Sequence, residues 1–235
     1  DDLLASTCLE NRLAQFQQHP ECDFLVFQME RFLNEPDFSK NEIVVEQDKN
    51  RVLESFIQLH GQWPITGPVY KTNFFKTICF HTNLVVFEDL EVAIKAIVQA
   101  TDFKIFNTID CYYRNDANYK EKYNSIEVKT KMVKCFSQLL LSLVTIMKQN
   151  QEQIFKNKEI KAYFVNSYKT FFRFTILENS RAFQDDNKKI VHLLAAHGFL
   201  DSKTAFKFFF VDRVLLPFAN IKGIGIARLI KKLYN

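Results

Sequence analysis

Apolar residues recur along the chain at intervals of three and four positions, the spacing that places them on one side of an α-helix. The pattern predicts long helices over 125–148 and 158–177. Shorter helices are predicted over 2–18, 20–34 and 103–113. With the remaining periodic segments, the pattern predicts about eleven helices joined by short connections, a series that packs most easily as antiparallel neighbours.

Residues that allow tight turns are scarce. The chain has five glycines, five prolines and no Asn-Gly or Asp-Gly pair, whereas glycine and proline usually make up about 12% of a chain. A sheet closed by hairpins needs such turns, and 25 phenylalanines provide material for a core. We therefore expect an all-α fold in which helix pairs stack as an irregular array similar to HEAT and armadillo repeats. A compact helical bundle is the alternative.

Four of the ten glycines and prolines and the single tryptophan fall in GQWPITGPVY, residues 61–70. Prolines keep the residues before them out of the helical conformation, so this segment is predicted to be an extended loop. We expect one domain over 1–235 with a possible sub-boundary in this loop, between a small helical unit over 1–60 and a main helical unit over 71–235. The charge is uneven, because the first 100 residues carry 15 acidic and 8 basic residues and the remainder 12 and 23.

The sequence carries no motif typical of catalysis, such as a nucleophile elbow, a phosphate-binding glycine loop or a dinucleotide fingerprint. Five cysteines without Cys-x-x-Cys spacing indicate neither a disulfide framework nor a zinc knuckle. The carboxylates of Glu88, Asp89 and Glu91 are interpreted as charges at a helix start. The longest apolar run, 136–147, is too short to span a bilayer. We expect a non-enzymatic protein with no cofactor, metal or membrane.

A basic stripe is predicted on the helix over 158–177, and the last helix is also basic. The stripe consists of Lys158, Lys161, Lys169 and Arg173, and the last helix carries Arg228, Lys231 and Lys232. These cations could neutralise a nucleic-acid backbone or dock an acidic protein. They could equally form the solvated faces of ordinary helices.

The last helix follows two glycines, Gly223 and Gly225, on either side of an isoleucine. This Gly-hydrophobic-Gly turn resembles the hairpin of the helix-hairpin-helix family, in which backbone N–H groups bind a DNA phosphate. The resemblance departs at Leu229, where that family has a small residue. The alternative is that Gly223 ends one helix and Gly225 begins the next.

The loop over 61–70 is a candidate protein-binding loop through Trp63, Ile65 and Tyr70, because apolar loops with a tryptophan often anchor partners. Alternatively, the tryptophan folds back onto the core. The prediction is a scaffold or adaptor domain of an intracellular complex, nuclear or cytoplasmic, whose partners are other proteins. A nucleic-acid-binding domain that uses the basic half is the second hypothesis. An enzyme whose pocket gathers distant Cys, His and carboxylate groups is the third.

Overall fold

A computed structural model describes residues 2–78, 80–81, 83–115, 119–150, 158–221 and 225–234. The chain forms two compact units. Unit 1 contains Asp1–His81 and Glu88–Asn124, and unit 2 contains Thr82–Phe87 and Ser125–Asn235. The loop over 61–70 lies inside unit 1.

Unit 1 is built on a four-stranded sheet with the order β1-β4-β2-β3. The strands are β1 (Leu3–Leu4), β2 (Phe24–Phe32), β3 (Pro68–Tyr70) and β4 (Phe103–Arg114). The helices are α1 (Cys8–Gln18), α2 (Lys49–Ile57), α3 (Thr72–Ile78), α4 (Glu88–Gln99) and α5 (Tyr119–Asn124). The central strands β2 and β4 run parallel, and β1 and β3 pair antiparallel at the two edges.

The prediction of an all-α, HEAT-like array is wrong, because two of the predicted helices are the central strands of this sheet. The segment predicted as a helix over 20–34 contains β2, and the one over 103–113 coincides with β4. Residues 24–28 are all buried, since a central parallel strand is covered on both faces and reads as a continuous apolar run. Such a short run does not distinguish a strand from a buried helix.

The scarcity of glycine and proline misled the prediction for a second reason. Parallel strands are joined by long crossovers rather than by two-residue turns. The chain passes from β2 to β4 through α2, α3 and α4, with β3 added at the edge. Few turn residues therefore exclude a sheet of tight hairpins, but not this sheet.

All the secondary-structure elements in the described part of unit 2 are helices. Its α-helices are α6 (Ile126–Asn150), α7 (Lys158–Phe171), α8 (Ser180–Ala196), α9 (Ser202–Phe210) and α10 (Ile226–Leu233). Helix α7 continues into a π turn (Phe172–Ile176) and a 3-10 turn (Leu177–Asn179). Helix α9 continues in the same way, into a π turn (Val211–Leu215) and a 3-10 turn (Leu216–Phe218). The predicted helix over 125–148 is confirmed as α6. Local contacts set two helix ends here, since Gly198 after α8 has φ 68° and the Asp201 carboxylate caps α9 by accepting from Thr204 N–H.

Among the described residues, one helix is long and apolar enough to cross a membrane. It is α6, over Ile126–Gln149, and half of that span is buried inside the structure. The ring of Phe136 stacks on that of Phe171, with centroids 4.1 Å apart. The apolar face of α6 thus forms part of the unit 2 core.

A buried polar network holds the core of unit 2 together. Asn187, with no exposed surface, accepts a hydrogen bond from the Tyr168 hydroxyl at 2.9 Å and donates one to the Asp212 carboxylate at 2.9 Å. The hydroxyls of Tyr168 and Tyr234 are 3.1 Å apart. Burial raises the pKa of Asp212, and the hydrogen bond from Asn187 opposes that rise. The side-chain amide of Asn187 therefore provides a hydrogen-bond partner for both the Tyr168 hydroxyl and the Asp212 carboxylate.

Replacing Asn187 by leucine is expected to lower the free energy of unfolding by about 2–4 kcal/mol, because a buried hydroxyl and a buried carboxylate lose a partner. Urea titration followed by far-ultraviolet circular dichroism measures the loss. Asn166→Leu, at an exposed position on α7, is the matched control and should change stability by less than about 0.5 kcal/mol. A loss below about 1 kcal/mol for Asn187→Leu would show that the network contributes little.

Candidate functional site

A groove of about 990 Å³ lies in unit 1, along the carboxyl half of the parallel strands. Ligands of open α/β sheets bind outside the carboxyl ends of the strands, and small-molecule sites usually measure about 300–1,000 Å³. We call this cavity the edge groove. The residues that line it include Asp2, Gln28, Met29, Arg31, Trp63, Thr66, Asp89, Tyr113 and Asn115.

The carboxylates among the described residues of the edge groove are those of Asp2 and Asp89. Asp2 precedes β1, and its Oδ1 accepts from the backbone N–H of Arg114 at 3.2 Å. Asp89 lies in the first turn of α4, where its Oδ1 accepts from the backbone N–H of Leu90 at 2.7 Å. Both side chains are exposed, so each presents a carboxylate oxygen to a molecule in the groove.

The groove also contains a cation held against an aromatic ring. Arg31, near the end of β2, places its guanidinium carbon 5.9 Å from the ring centre of Tyr113 on β4. The two residues are cross-strand partners in the parallel ladder. Because Arg31 is exposed and a guanidinium presents a rigid fork of donors, it can bind a phosphate group.

A buried ion pair positions one wall of the groove. Arg12 on α1 binds Asp110 on β4 through two hydrogen bonds of 2.6 Å, and its third nitrogen donates to the carbonyl of Thr66 at 3.0 Å. Burial acts to lower the pKa of the Arg12 guanidinium, but the hydrogen bonds and charge of Asp110 outweigh it and raise the pKa. Burial raises the pKa of the neighbouring Cys8 thiol to about 11, so the thiol stays protonated.

Gly67 holds the same wall against β2. Its carbonyl accepts from the N–H of Phe27 at 3.0 Å, and a Cβ at position 67 would lie 2.8 Å from the Phe27 carbonyl oxygen. Only glycine permits this approach of two backbone segments. The contact places residues 63–66 beside the groove.

Trp63 lies between the edge groove and a second cavity. Its ring packs on Phe56 with centroids 4.5 Å apart and is 7% exposed. The predicted alternative, a tryptophan folded back onto the core, is therefore what the structure has. The buried indole Nε1–H has no acceptor among the described residues.

The second cavity, which we call the side pocket, measures about 300 Å³. It shares Trp63, Pro64, Ile65 and Asp89 with the edge groove. The other residues of its wall are Pro68, Tyr70, Phe75, Phe80, Val92 and Ala93. The predicted protein-binding loop thus forms part of two concave cavities, in which Ile65 is 53% exposed and burial raises the pKa of Tyr70.

One group of potential metal ligands lies together in the described part of the chain, outside the edge groove. Glu21, Cys22 and Asp102 place their ligand atoms within 4.8 Å of one another. The ammonium of Lys49 already binds the Asp102 carboxylate, and burial raises the pKa of the Cys22 thiol. Lys49 therefore offsets the charge of one of the two carboxylates in this group.

The predicted basic stripe lies on α7 and the π turn that follows it. Burial, followed by the charges of Lys207 and Arg173, lowers the pKa of Lys169. Arg173 donates to the backbone carbonyl of Tyr234 at 2.7 Å and so fixes the end of the chain. Lys158 is exposed and Lys161 half-buried. At least one member of the stripe therefore has a structural contact.

The predicted glycine turn is described only in part, because Gly223 lies outside the described residues. Gly225 has φ 72°, a left-handed conformation that suits glycine, and directly precedes α10. Arg228, Lys231 and Lys232 are exposed on α10. All of these residues belong to unit 2, whereas the edge groove belongs to unit 1.

Sequence reasoning missed Asp2, Arg31 and Asp89 as site residues. The sequence analysis interpreted Asp89 as a charge at a helix start, and Asp89 does lie in the first turn of α4. The available signal was the group of acidic residues, Glu88, Asp89 and Glu91, at the start of α4. That signal gains meaning only once β2 and β4 are parallel, because the sheet then has a carboxyl edge.

Comparison of the whole structure with solved structures finds a similar fold. The structure of residues 1–349 of S. aureus TarS in complex with UDP-GlcNAc has a TM-score of 0.58 and 16% sequence identity, and the match covers 100% of this chain and 65% of TarS 1–349. The complex of the same TarS segment with UDP has a TM-score of 0.54, 17% identity, and coverage of 100% and 64%. No protein-family model and no curated protein sequence matches the chain.

These comparisons correct the predicted function. TarS is a glycosyltransferase with an α/β fold, and the likeness contradicts the prediction of a non-enzymatic, HEAT-like scaffold. The possible nucleic-acid partner rested on basic residues of helices that belong to unit 2, and it remains a prediction. At this level of identity the likeness concerns the fold, and the chain spans about 65% of the TarS segment. The predicted protein partners and intracellular location remain predictions.

Proposed function

We propose that this chain belongs to a glycosyltransferase that moves a sugar from a nucleoside diphosphate to a hydroxyl group. The observation that carries the proposal is the edge groove, a cavity of about 990 Å³ with two carboxylates and an arginine on its wall. The groove lies where ligands of α/β sheets bind. A fold similar to that of TarS bound to UDP-GlcNAc supports the choice of donor.

The donor carries two negatively charged phosphates, and Arg31 is the exposed cation at the end of β2. A guanidinium can donate two parallel hydrogen bonds to phosphate oxygens. The guanidinium of Arg31 lies over the ring of Tyr113, and this contact restricts the orientation of the guanidinium. We assign Arg31 to the diphosphate.

Sugar transfer needs a group that takes the proton of the acceptor. The acceptor oxygen forms a bond with the anomeric carbon, while the bond from that carbon to the diphosphate oxygen breaks and the diphosphate leaves with the electron pair. The acceptor proton is released in this step, and a positioned carboxylate can accept it. Asp89 is assigned this role because its exposed carboxylate borders both the edge groove and the side pocket.

Titration calorimetry with UDP-GlcNAc and with UDP tests the proposal. We expect saturable binding of both, and Arg31→Met should raise the dissociation constant of each about ten- to a hundredfold, since a hydrogen bond to a charged group contributes about 1.5–3 kcal/mol. Arg181→Met, at an exposed arginine of α8, is the matched control and should leave both constants unchanged.

Absence of binding by the folded protein would contradict the proposal. Equal affinities for the parent protein and Arg31→Met would contradict the assignment of Arg31. Circular dichroism of each variant confirms that it is folded.

A further inference from the structure

We propose that the side pocket is the acceptor subsite, and that it selects a neutral acceptor with an aromatic ring beside the hydroxyl that receives the sugar. The inference rests on the proposed function and names the substrate class of that same site. Two features of unit 1 carry it: the chemistry of the pocket wall and the position of the pocket relative to Asp89.

The wall of the side pocket is apolar and rich in aromatic rings. The rings of Tyr70 and Phe75 have centroids 5.1 Å apart, and Phe75 meets Phe80 edge-on at 6.1 Å. Pro64 and Pro68 extend the same surface. Such a wall favours an aromatic guest, because offset and edge-to-face contacts add to the burial of its area.

The described residues of the side pocket offer few of the groups that an anionic or polyhydroxylated acceptor needs. None of the described residues that line it is a lysine or an arginine, and Asp89 is its carboxylate. An anionic acceptor would meet that negative charge without a compensating cation. A polyol would bury hydroxyls against proline and phenylalanine, where few partners exist.

Volume limits the size of the guest. An apolar cavity of about 150 Å³ holds one benzene molecule, whereas the side pocket measures about 300 Å³. It accommodates one substituted or fused aromatic ring with its hydroxyl directed outward. A long polymer would have to extend from the pocket into solvent.

The pocket opens beside the group that takes the proton. Asp89, Trp63, Pro64 and Ile65 line both cavities, so a ring in the side pocket places its hydroxyl next to the edge groove. The buried Nε1–H of Trp63 has no acceptor among the described residues. That nitrogen is closed off from solvent, so recognition of the guest rests on the apolar wall and on Asp89.

The chain has one tryptophan, and its position in the pocket wall makes it a direct reporter. Titration with benzyl alcohol, a neutral aromatic alcohol, should change the Trp63 fluorescence saturably. Glycerol and glycerol 3-phosphate should not. This measurement needs no sugar donor, so it tests the pocket separately from the proposed function.

Transfer is then measured with UDP-GlcNAc as the donor and each of the three alcohols as the acceptor, by UDP release and by mass spectrometry of the product. We expect benzyl alcohol to be glycosylated in preference to the other two. Phe75→Ala should raise the KM for benzyl alcohol about tenfold, because the lost aromatic contact corresponds to about 1.4 kcal/mol. The KM for UDP-GlcNAc should rise much less. Phe206→Ala, at a phenylalanine of unit 2 that is 74% exposed, is the matched control.

Each outcome decides one question. Turnover of UDP-GlcNAc with glycerol or glycerol 3-phosphate as the preferred acceptor would overturn the inference and keep the proposed function. Absence of any UDP-GlcNAc binding or turnover would overturn the proposed function. A fluorescence change with benzyl alcohol that Phe75→Ala leaves unaltered would place the ring elsewhere and also overturn the inference.

Discussion

Replacing Asp89 by asparagine is expected to lower kcat for transfer from UDP-GlcNAc by about 10²- to 10⁴-fold, the contribution of a positioned general base. Asparagine keeps the size and the oxygen that accepts from the N–H of Leu90, but it cannot take a proton. The KM for UDP-GlcNAc should change by less than about threefold, because the lost interaction belongs to the transition state. Initial rates of UDP release measure both constants.

Two comparisons make the Asp89 result specific. Asp185→Asn changes an exposed aspartate of α8 in unit 2 and should leave kcat unchanged. The unfolding midpoint of Asp89→Asn should stay within a few degrees of that of the parent, since surface substitutions usually alter stability by less than about 0.5 kcal/mol. A kcat within threefold of the parent value would remove Asp89 from the mechanism.

Replacing Arg12 by leucine is expected to lower the stability of unit 1 by about 3–5 kcal/mol, the usual cost of breaking a buried ion pair from one side. The Asp110 side chain is 3% exposed and would keep a buried charge without its partner. The carbonyl of Thr66 would also lose its donor. Urea unfolding followed by Trp63 fluorescence reports on unit 1, because this tryptophan lies in its core.

The double variant Arg12→Leu with Asp110→Leu should be less destabilised than Arg12→Leu alone, since removing both charges removes the uncompensated one. Arg51→Leu is the control for an exposed pair: the Arg51 and Glu46 side chains are 73% and 33% exposed, and the loss should stay below about 1 kcal/mol. Equal losses for Arg12→Leu and Arg51→Leu would show that the buried pair does not hold the wall of the groove.

The helices of unit 2 could be predicted because local pattern and tertiary environment agree there. The apolar positions of α6 repeat at the helical period and are buried in the structure, as Phe136 and Leu140 show. The Asp201 cap and the left-handed Gly198 are set by contacts within a few residues. Such features need no knowledge of distant parts of the chain.

The site could not be predicted, because its parts come from distant segments of the sequence. Asp2, Arg31, Asp89 and Tyr113 become neighbours of one groove only when β2 and β4 pair side by side. Each residue alone has an ordinary local explanation, as the helix-start position of Asp89 illustrates. A catalytic arrangement is recognised by geometry rather than by position in the sequence.

The sequence by itself determined where most helices of unit 2 lie and some of their ends, since these depend on the period of the side chains and on local backbone preferences. The tertiary structure decided that Phe24–Phe32 and Phe103–Arg114 are strands. It also decided that the loop over 61–70 lines two cavities instead of projecting as a docking loop. The physical reason is that a strand satisfies its backbone hydrogen bonds on another segment, and nothing in a short apolar run specifies which segment that will be.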